Sequence, residues 1–175
     1  MSDVSQAEGT PTGEPERLKI YLLPNLFTAG NLFCGFLALT KIVEADLNAA
    51  SGYYEVKMAL LWILVACILD LLDGRVARMT NTQSAFGEQM DSLADMVSFG
   101  AAPALIAYEW SLKGLGRWGW VAAFVYIACA ALRLARFNVN TSVVDKRYFQ
   151  GLPSPAAAAL VMGYIWIMTE LQWMD

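Results

Sequence analysis

Four aspartates stand where the neighbouring sequence calls for lipid. Asp70, Asp73, Asp91 and Asp95 fall in "DLLDGRVARMTNTQSAFGEQMDSLAD", between the apolar runs "MALLWILVACIL" and "MVSFGAAPALIAY". On a helix turning about 100° per residue, Asp70, Asp73 and Ala77 lie within roughly 60° of one another, with Gly74 bordering that face. Asp91 and Asp95 are one turn apart, with Gly87 a turn earlier and Ser98 a turn later. A helical hairpin closed near "TNTQSA" brings the two acidic stripes together at one end. Four carboxylates in a small volume repel one another unless cations neutralise them. The chain has no histidine, and Cys34, Cys67 and Cys129 are scattered through apolar runs as small core residues. Hard divalent ions with oxygen ligands, Mg²⁺ or Mn²⁺ before Zn²⁺, therefore suit the cluster. Any general base must also be a carboxylate or something less usual. Metal ions at a membrane interface suit displacement at phosphorus in a pyrophosphate-bearing lipid. The plainer alternative is a set of helix-end acids solvated by headgroups and paired with Arg75 and Arg78.

The elements that must carry these residues are membrane spans. Apolar residues make up 57 % of the 175, charged residues 16 %, and the net charge of −4 owes much to the two tails. Nothing in that balance points to nucleic acid. Five apolar segments read as helices: about Tyr21 to Ile42, Met58 into the Asp70 motif, about Glu88 to Tyr108, Trp118 to about Phe137, and about Ser154 to Thr169. Residues 1–16, polar and Gly/Pro-containing, read as a disordered tail, and "ERLKIYLL" as a short interfacial helix turning into the first span at Pro24. Met58–Leu69 and Met96–Tyr108 are each shorter than the roughly 20 residues a crossing needs. Both reach full length only if the aspartates belong to the same helices, so the acids must face the bundle interior or a wet cavity. With the N-terminus cytoplasmic, eight of the twelve Lys and Arg residues fall on that side. This puts the aspartates and "RLARFN" on the cytoplasmic face of the membrane. The expected fold is an all-α, polytopic transmembrane bundle.

Asp70, Asp73, Gly74, Ala77, Arg78, Gly87, Asp91 and Asp95 match, with every spacing intact, the pattern D-x2-D-G-x2-A-R-x8-G-x3-D-x3-D. In this the chain resembles the CDP-alcohol phosphatidyltransferase family. The resemblance implies a domain over 17–175 with a core of six helices, of which five are visible and the C-terminal part is short. It also implies a homodimer and two divalent cations held by Asp70, Asp73, Asp91 and Asp95. Asp95, with Asp91 beside it, is the implied catalytic base. Gly74, Ala77, Arg78 and Gly87 are the implied lining of the CDP site.

Four further stretches, "PNLFTAGNLFCGFLA", "DMVSFGAAPA", "LRLARFNV" and "FQGLPSPAAAA", resemble the phosphatidylserine synthase branch of that family. The implied partners are CDP-diacylglycerol, L-serine and membrane lipid. Serine is a zwitterion, so its site needs a cation for the carboxylate. Arg133 and Arg136 suit carboxylate or phosphate contacts, or else set topology by their charge. Asn25, Thr28 and Asn31 spiral along the first span and either contact cytidine or serine or hydrogen-bond between helices. Ser98 stands evenly between packing and the site. Glycerol 3-phosphate, inositol or inositol phosphate is the alternative acceptor. An ion or proton relay is the alternative class, but it calls for acids spread through the membrane depth.

Overall fold

The computed structural model describes residues 22–46, 50–79, 84–140 and 152–174. The proposed interfacial helix and the polar tail lie outside them. Among the described residues six α-helices follow in order: α1 Leu22–Glu44, α2 Ala50–Met79, α3 Ala85–Asp95, α4 Ala102–Trp110, α5 Arg117–Asn140 and α6 Ser154–Met174. A π-helical segment, Met96–Ala101, joins α3 to α4, and a 3-10 turn, Leu112–Leu115, leads into α5. No strand occurs among the described residues. The protein is an all-α membrane helix bundle.

Among the described residues three helices are long and apolar enough to cross a bilayer by themselves: Asn25–Glu44 in α1, Arg117–Val139 in α5 and Ser154–Leu171 in α6. The other two expected spans are those whose polar residues break the apolar run. Asp70 and Asp73 sit inside α2, and Asp91 and Asp95 inside the α3–π–α4 rod, so the acids do belong to the helices that carry them. Helix α2 begins at Ala50, well before the expected Met58. The added turns are held by charge pairs to neighbouring helices. Glu55 meets Lys41 of α1 at 3.2 Å and Lys57 meets Glu170 of α6 at 3.0 Å. These pairs mark the end of the bundle opposite the aspartates.

The core is narrow and built from small and branched side chains. Cys34, Ala38 and Ile42 of α1 meet Ala59, Leu60, Ile63 and Ala66 of α2, with Phe99, Ile106, Met162 and Ile165 completing it. Alanines at the interface let helix backbones approach where lipid offers no hydrophobic drive. Helix α5 is peripheral, with Trp118, Phe124, Leu132 and Phe137 pointing outward. Cys34 is buried as expected, whereas Cys129 on α5 is exposed.

The π segment follows directly on Asp95 and has both a local cause and tertiary ones. Pro103 has no N–H for the carbonyl four residues back, that of Phe99, and its ring disfavours regular helix there. The Tyr126 hydroxyl of α5 donates to that carbonyl at 3.1 Å. Ser98 donates to the backbone carbonyl of Asn31 at 3.0 Å, clamping the segment to α1. Gly35 of α1 completes the fit, since a Cβ there would collide with Ser98.

Candidate active site

At one end of the bundle α1, α2 and α3 converge. Helix α3 starts cleanly: the Ser84 hydroxyl accepts the Gly87 N–H at 3.0 Å and the Ser84 carbonyl accepts from Glu88 N–H at 3.1 Å, an N-cap that satisfies otherwise orphaned donors. Gly87 lets this first turn lie against α1, where an added Cβ would come within 3.4 Å of Asn25 Oδ1. One turn further along α3, Asp91 and Asp95 face Asp70 of α2. Each of these three carboxylates offers an oxygen, and the three oxygens lie within 4.8 Å of one another.

Helix α1 supplies the hydrogen bonds that hold the acids. Thr28 Oγ1 donates to Asp73 Oδ2 at 3.0 Å, and Asn31 Nδ2 donates to Asp95 Oδ1 at 3.3 Å. Asp73 and Asp95 are 4 % and 8 % exposed and Asn31 is fully enclosed. Thr28 and Asn31 make the interhelical hydrogen bonds that are one of the two readings for the polar residues of α1, and Ser98 bonds the Asn31 carbonyl, while Asn31 Oδ1 is buried without a hydrogen-bond partner. Asp73 stands beside the close trio of carboxylates and outside it.

The donor set fits a hard divalent cation. Three carboxylates at such separations repel by about 3–4 kcal/mol per pair at an effective dielectric of about 20. Asp91 Oδ1 is buried with no hydrogen-bond partner, an acceptor that a cation would satisfy. All ligands are oxygen, with neither imidazole nor thiolate in the group.

The remaining residues of the pattern lie around this cluster on α2. Gly74 is exposed, and a Cβ there would meet nothing within 4 Å, so the helix surface beside Asp73 is open. Arg78 is exposed on the last turn of α2, its Nε donating to the Gly74 carbonyl at 2.8 Å, and Ala77 is half-buried.

Arg133 of α5 lines a cavity of about 260 Å³ together with Phe99, Tyr126, Cys129, Leu152 and Ser154, and none of the four aspartates contributes to its wall. Its Nε is buried without a hydrogen-bond partner. Arg136 is exposed on the same helix. Helix α6 begins at Ser154, and the Ala157 N–H bonds to the Pro153 carbonyl at 2.9 Å, so Pro153 supplies the first carbonyl of the helix and Ser154 opens its first turn.

Two contributors escaped the reading of the sequence. Tyr126 looked like one more apolar residue of a span. Asn138 stood inside the quoted "LRLARFNV" without a role; it hydrogen-bonds Ser92 of α3 at 3.0 Å.

An all-α membrane bundle that gathers carboxylates from two helices at one end, braced by hydroxyl and amide donors from a third, is the framework of an integral membrane protein with a carboxylate cluster that could hold a metal ion. The family profile of the CDP-alcohol phosphatidyltransferases matches residues 21–175, and the chain belongs to that family. It is 46 % identical over 143 residues to a CDP-diacylglycerol–serine O-phosphatidyltransferase of Helicobacter pylori, covering 82 % of this chain and 56 % of the relative. A protein of the same name from Mycobacterium leprae is 37 % identical over 153 residues, covering 85 % and 48 %. One from Bacillus subtilis is 36 % identical over 135 residues, covering 77 % and 70 %. The chain thus spans about half the length of the first two relatives.

Proposed function

We propose that this chain moves a phosphatidyl group from CDP-diacylglycerol to L-serine, giving phosphatidylserine and CMP. The observation that carries the reading is the convergence of Asp70, Asp91 and Asp95 within 4.8 Å, on a helix pair that belongs to this family. The names of the relatives support serine as acceptor and CDP-diacylglycerol as donor.

In this reading Asp70, Asp73, Asp91 and Asp95 hold two divalent cations, Mg²⁺ or Mn²⁺. When bound, these ions screen the diphosphate and the charge that develops on it. Asp95 takes the proton from the serine hydroxyl. The serine oxygen then forms a bond to the phosphatidyl phosphorus, and the phosphorus–oxygen bond to CMP breaks. Asn31 orients Asp95 by donating to its Oδ1, and Thr28 does the same for Asp73. The Ser98 bond to the Asn31 carbonyl holds the orienting residue itself. The open surface at Gly74, with Ala77, Arg78, Gly87 and Asn25 around it, suits the CDP moiety. The Lys and Arg distribution favours N-terminus and site on the cytoplasmic side. A homodimer is expected from the family.

Arg133, backed by Arg136, is the proposed carboxylate anchor for serine. The support is its buried, unpartnered Nε at a cavity wall. A guanidinium so placed gains a charge-assisted hydrogen bond only when an anion arrives. Arg133→Ala is expected to raise the apparent KM for serine by about tenfold, the order of one such lost bond, and the KM for CDP-diacylglycerol by less than twofold. Equal rises in both would reduce Arg133 to a general electrostatic role.

A further inference from the structure

Helix α3 carries two of the proposed ligands, yet it is poorly held by apolar packing. It has only 11 residues. Among those whose burial is described, Ala94 and Asp95 alone are buried, while Phe86 and Leu93 face outward at 54 % and 69 % exposure. It runs on into the π segment that Ser98 clamps to α1, and beyond that joint something other than a hydrophobic face must set its rotation.

Two of the side-chain hydrogen bonds that reach it come from α1 and α5. From α1, Asn31 Nδ2 donates to Asp95 Oδ1 at 3.3 Å. From α5, Asn138 Nδ2 donates to Ser92 Oγ at 3.0 Å. Ser92 also lies 3.1 Å from the Glu88 carbonyl and 3.2 Å from Asn138 Oδ1. A hydroxyl has one proton, so it accepts from the Asn138 amide while donating to one of these two oxygens. Both partners are half-buried, which shields the bond from competition.

We propose that Asn138 is a positioning residue for the carboxylate cluster, acting through Ser92 to fix the rotation of α3 about its own axis and hence the placement of Asp91 and Asp95. Ser92 stands roughly 60° around the helix from Asp95 and 100° from Asp91. Bonds at Asp95 and Ser92 therefore grip the helix at two angular positions, Ser92 lying about a turn further than Asp95 from the clamped π segment. For a carboxylate oxygen about 5 Å from the axis of a helix whose Cα radius is about 2.3 Å, a roll of roughly 15° displaces it by about 1.3 Å. A shift of about 1 Å at a reacting group costs on the order of a hundredfold in rate at worst. The same bond ties α5, the helix of Arg133, to the helix of the metal ligands. This inference rests on the reading of the aspartates as metal ligands.

The test is a Mn²⁺ titration of the purified protein in detergent, following the free-ion electron paramagnetic resonance signal, alongside steady-state kinetics. The set is wild type, Ser92→Ala, Asn138→Ala, the double variant and Ser92→Thr. Each alanine variant is expected to weaken Mn²⁺ binding and lower kcat by about tenfold, with the KM for CDP-diacylglycerol within twofold of wild type. The double variant should be no worse than either single one, because both remove the same bond. Ser92→Thr, which keeps the hydroxyl, should recover binding. If Asn138→Ala does not fold, Ser92→Ala against Ser92→Thr decides. Unaltered Mn²⁺ binding in Ser92→Ala, or additive losses in the double variant, overturns the inference while leaving the metal reading intact. Absence of Mn²⁺ binding in wild type overturns both.

Discussion

Asp95→Asn is expected to lower CMP release by at least about 10³-fold while leaving the fold in place. Loss of a positioned general base alone costs about 10²- to 10⁴-fold, and the same change removes one of the cluster's carboxylates. The substitution is nearly isosteric, and an amide oxygen at position 95 still accepts from Asn31 Nδ2, the bond that Asp95 Oδ1 takes at 3.3 Å. It also removes a negative charge from a group whose oxygens lie within 4.8 Å. Relief of that repulsion makes the metal-free variant at least as stable as the metal-free wild type, so its thermal midpoint should stay level or rise. Helicity by circular dichroism should not change. Inactivity joined to undiminished stability separates a chemical role from a structural one. Activity within about tenfold of wild type would remove Asp95 from the mechanism. Asp91→Asn should follow the same pattern, since Asp91 Oδ1 has no hydrogen bond to lose.

Stripping divalent cations should be equally drastic. In excess chelator, turnover is expected to fall to background, and added Mn²⁺ or Mg²⁺ should restore it. Among the described residues, no Lys or Arg forms an ion pair with Asp70, Asp91 or Asp95. Arg78, the basic residue of the pattern, has its Nε bonded to the Gly74 carbonyl on the outer turn of α2. Stability offers an independent readout. A cation that binds only the folded protein stabilises it by about 2.7 kcal/mol at a concentration one hundred times its dissociation constant. The thermal midpoint should therefore climb with Mn²⁺ in wild type and much less in Asp91→Asn. Turnover that persists in chelator would contradict a metal-assisted reaction.

The helices and the acidic pattern were legible because membrane physics constrains them tightly. Apolar runs of insufficient length on either side of Asp70–Asp95 left the aspartates no place except within the helices, and α2 and α3 contain them. The start of α2 at Ala50 was not legible, because it depends on ion pairs from Glu55 and Lys57 to residues far along the chain. Nor was the π segment: Pro103 signals a disturbed helix, but its form follows from Gly35, Ser98 and Tyr126 meeting in space. For Thr28 and Asn31, residue type announced a hydrogen bond while leaving the partner open. Substrate and carboxylate are both oxygen-rich, and only the relative rotation of α1, α2 and α3 selects Asp73 and Asp95. Arg133 shows the same limit. Residue type left an anion contact and a topology-setting charge both open for it, and the cavity wall it joins forms only where Phe99, Tyr126 and Leu152 meet it in space.

The central claim is that these carboxylates serve phosphatidyl transfer to serine. It is tested most directly by CMP release from CDP-diacylglycerol, using purified protein in detergent with Mn²⁺ and L-serine, glycerol 3-phosphate or inositol as the added alcohol. The predicted result is CMP release that depends on L-serine and is lost in Asp95→Asn. Release with another alcohol only would keep the chemistry and overturn serine as acceptor. The contradicting result is no release with any of the three from protein that binds Mn²⁺ and remains folded.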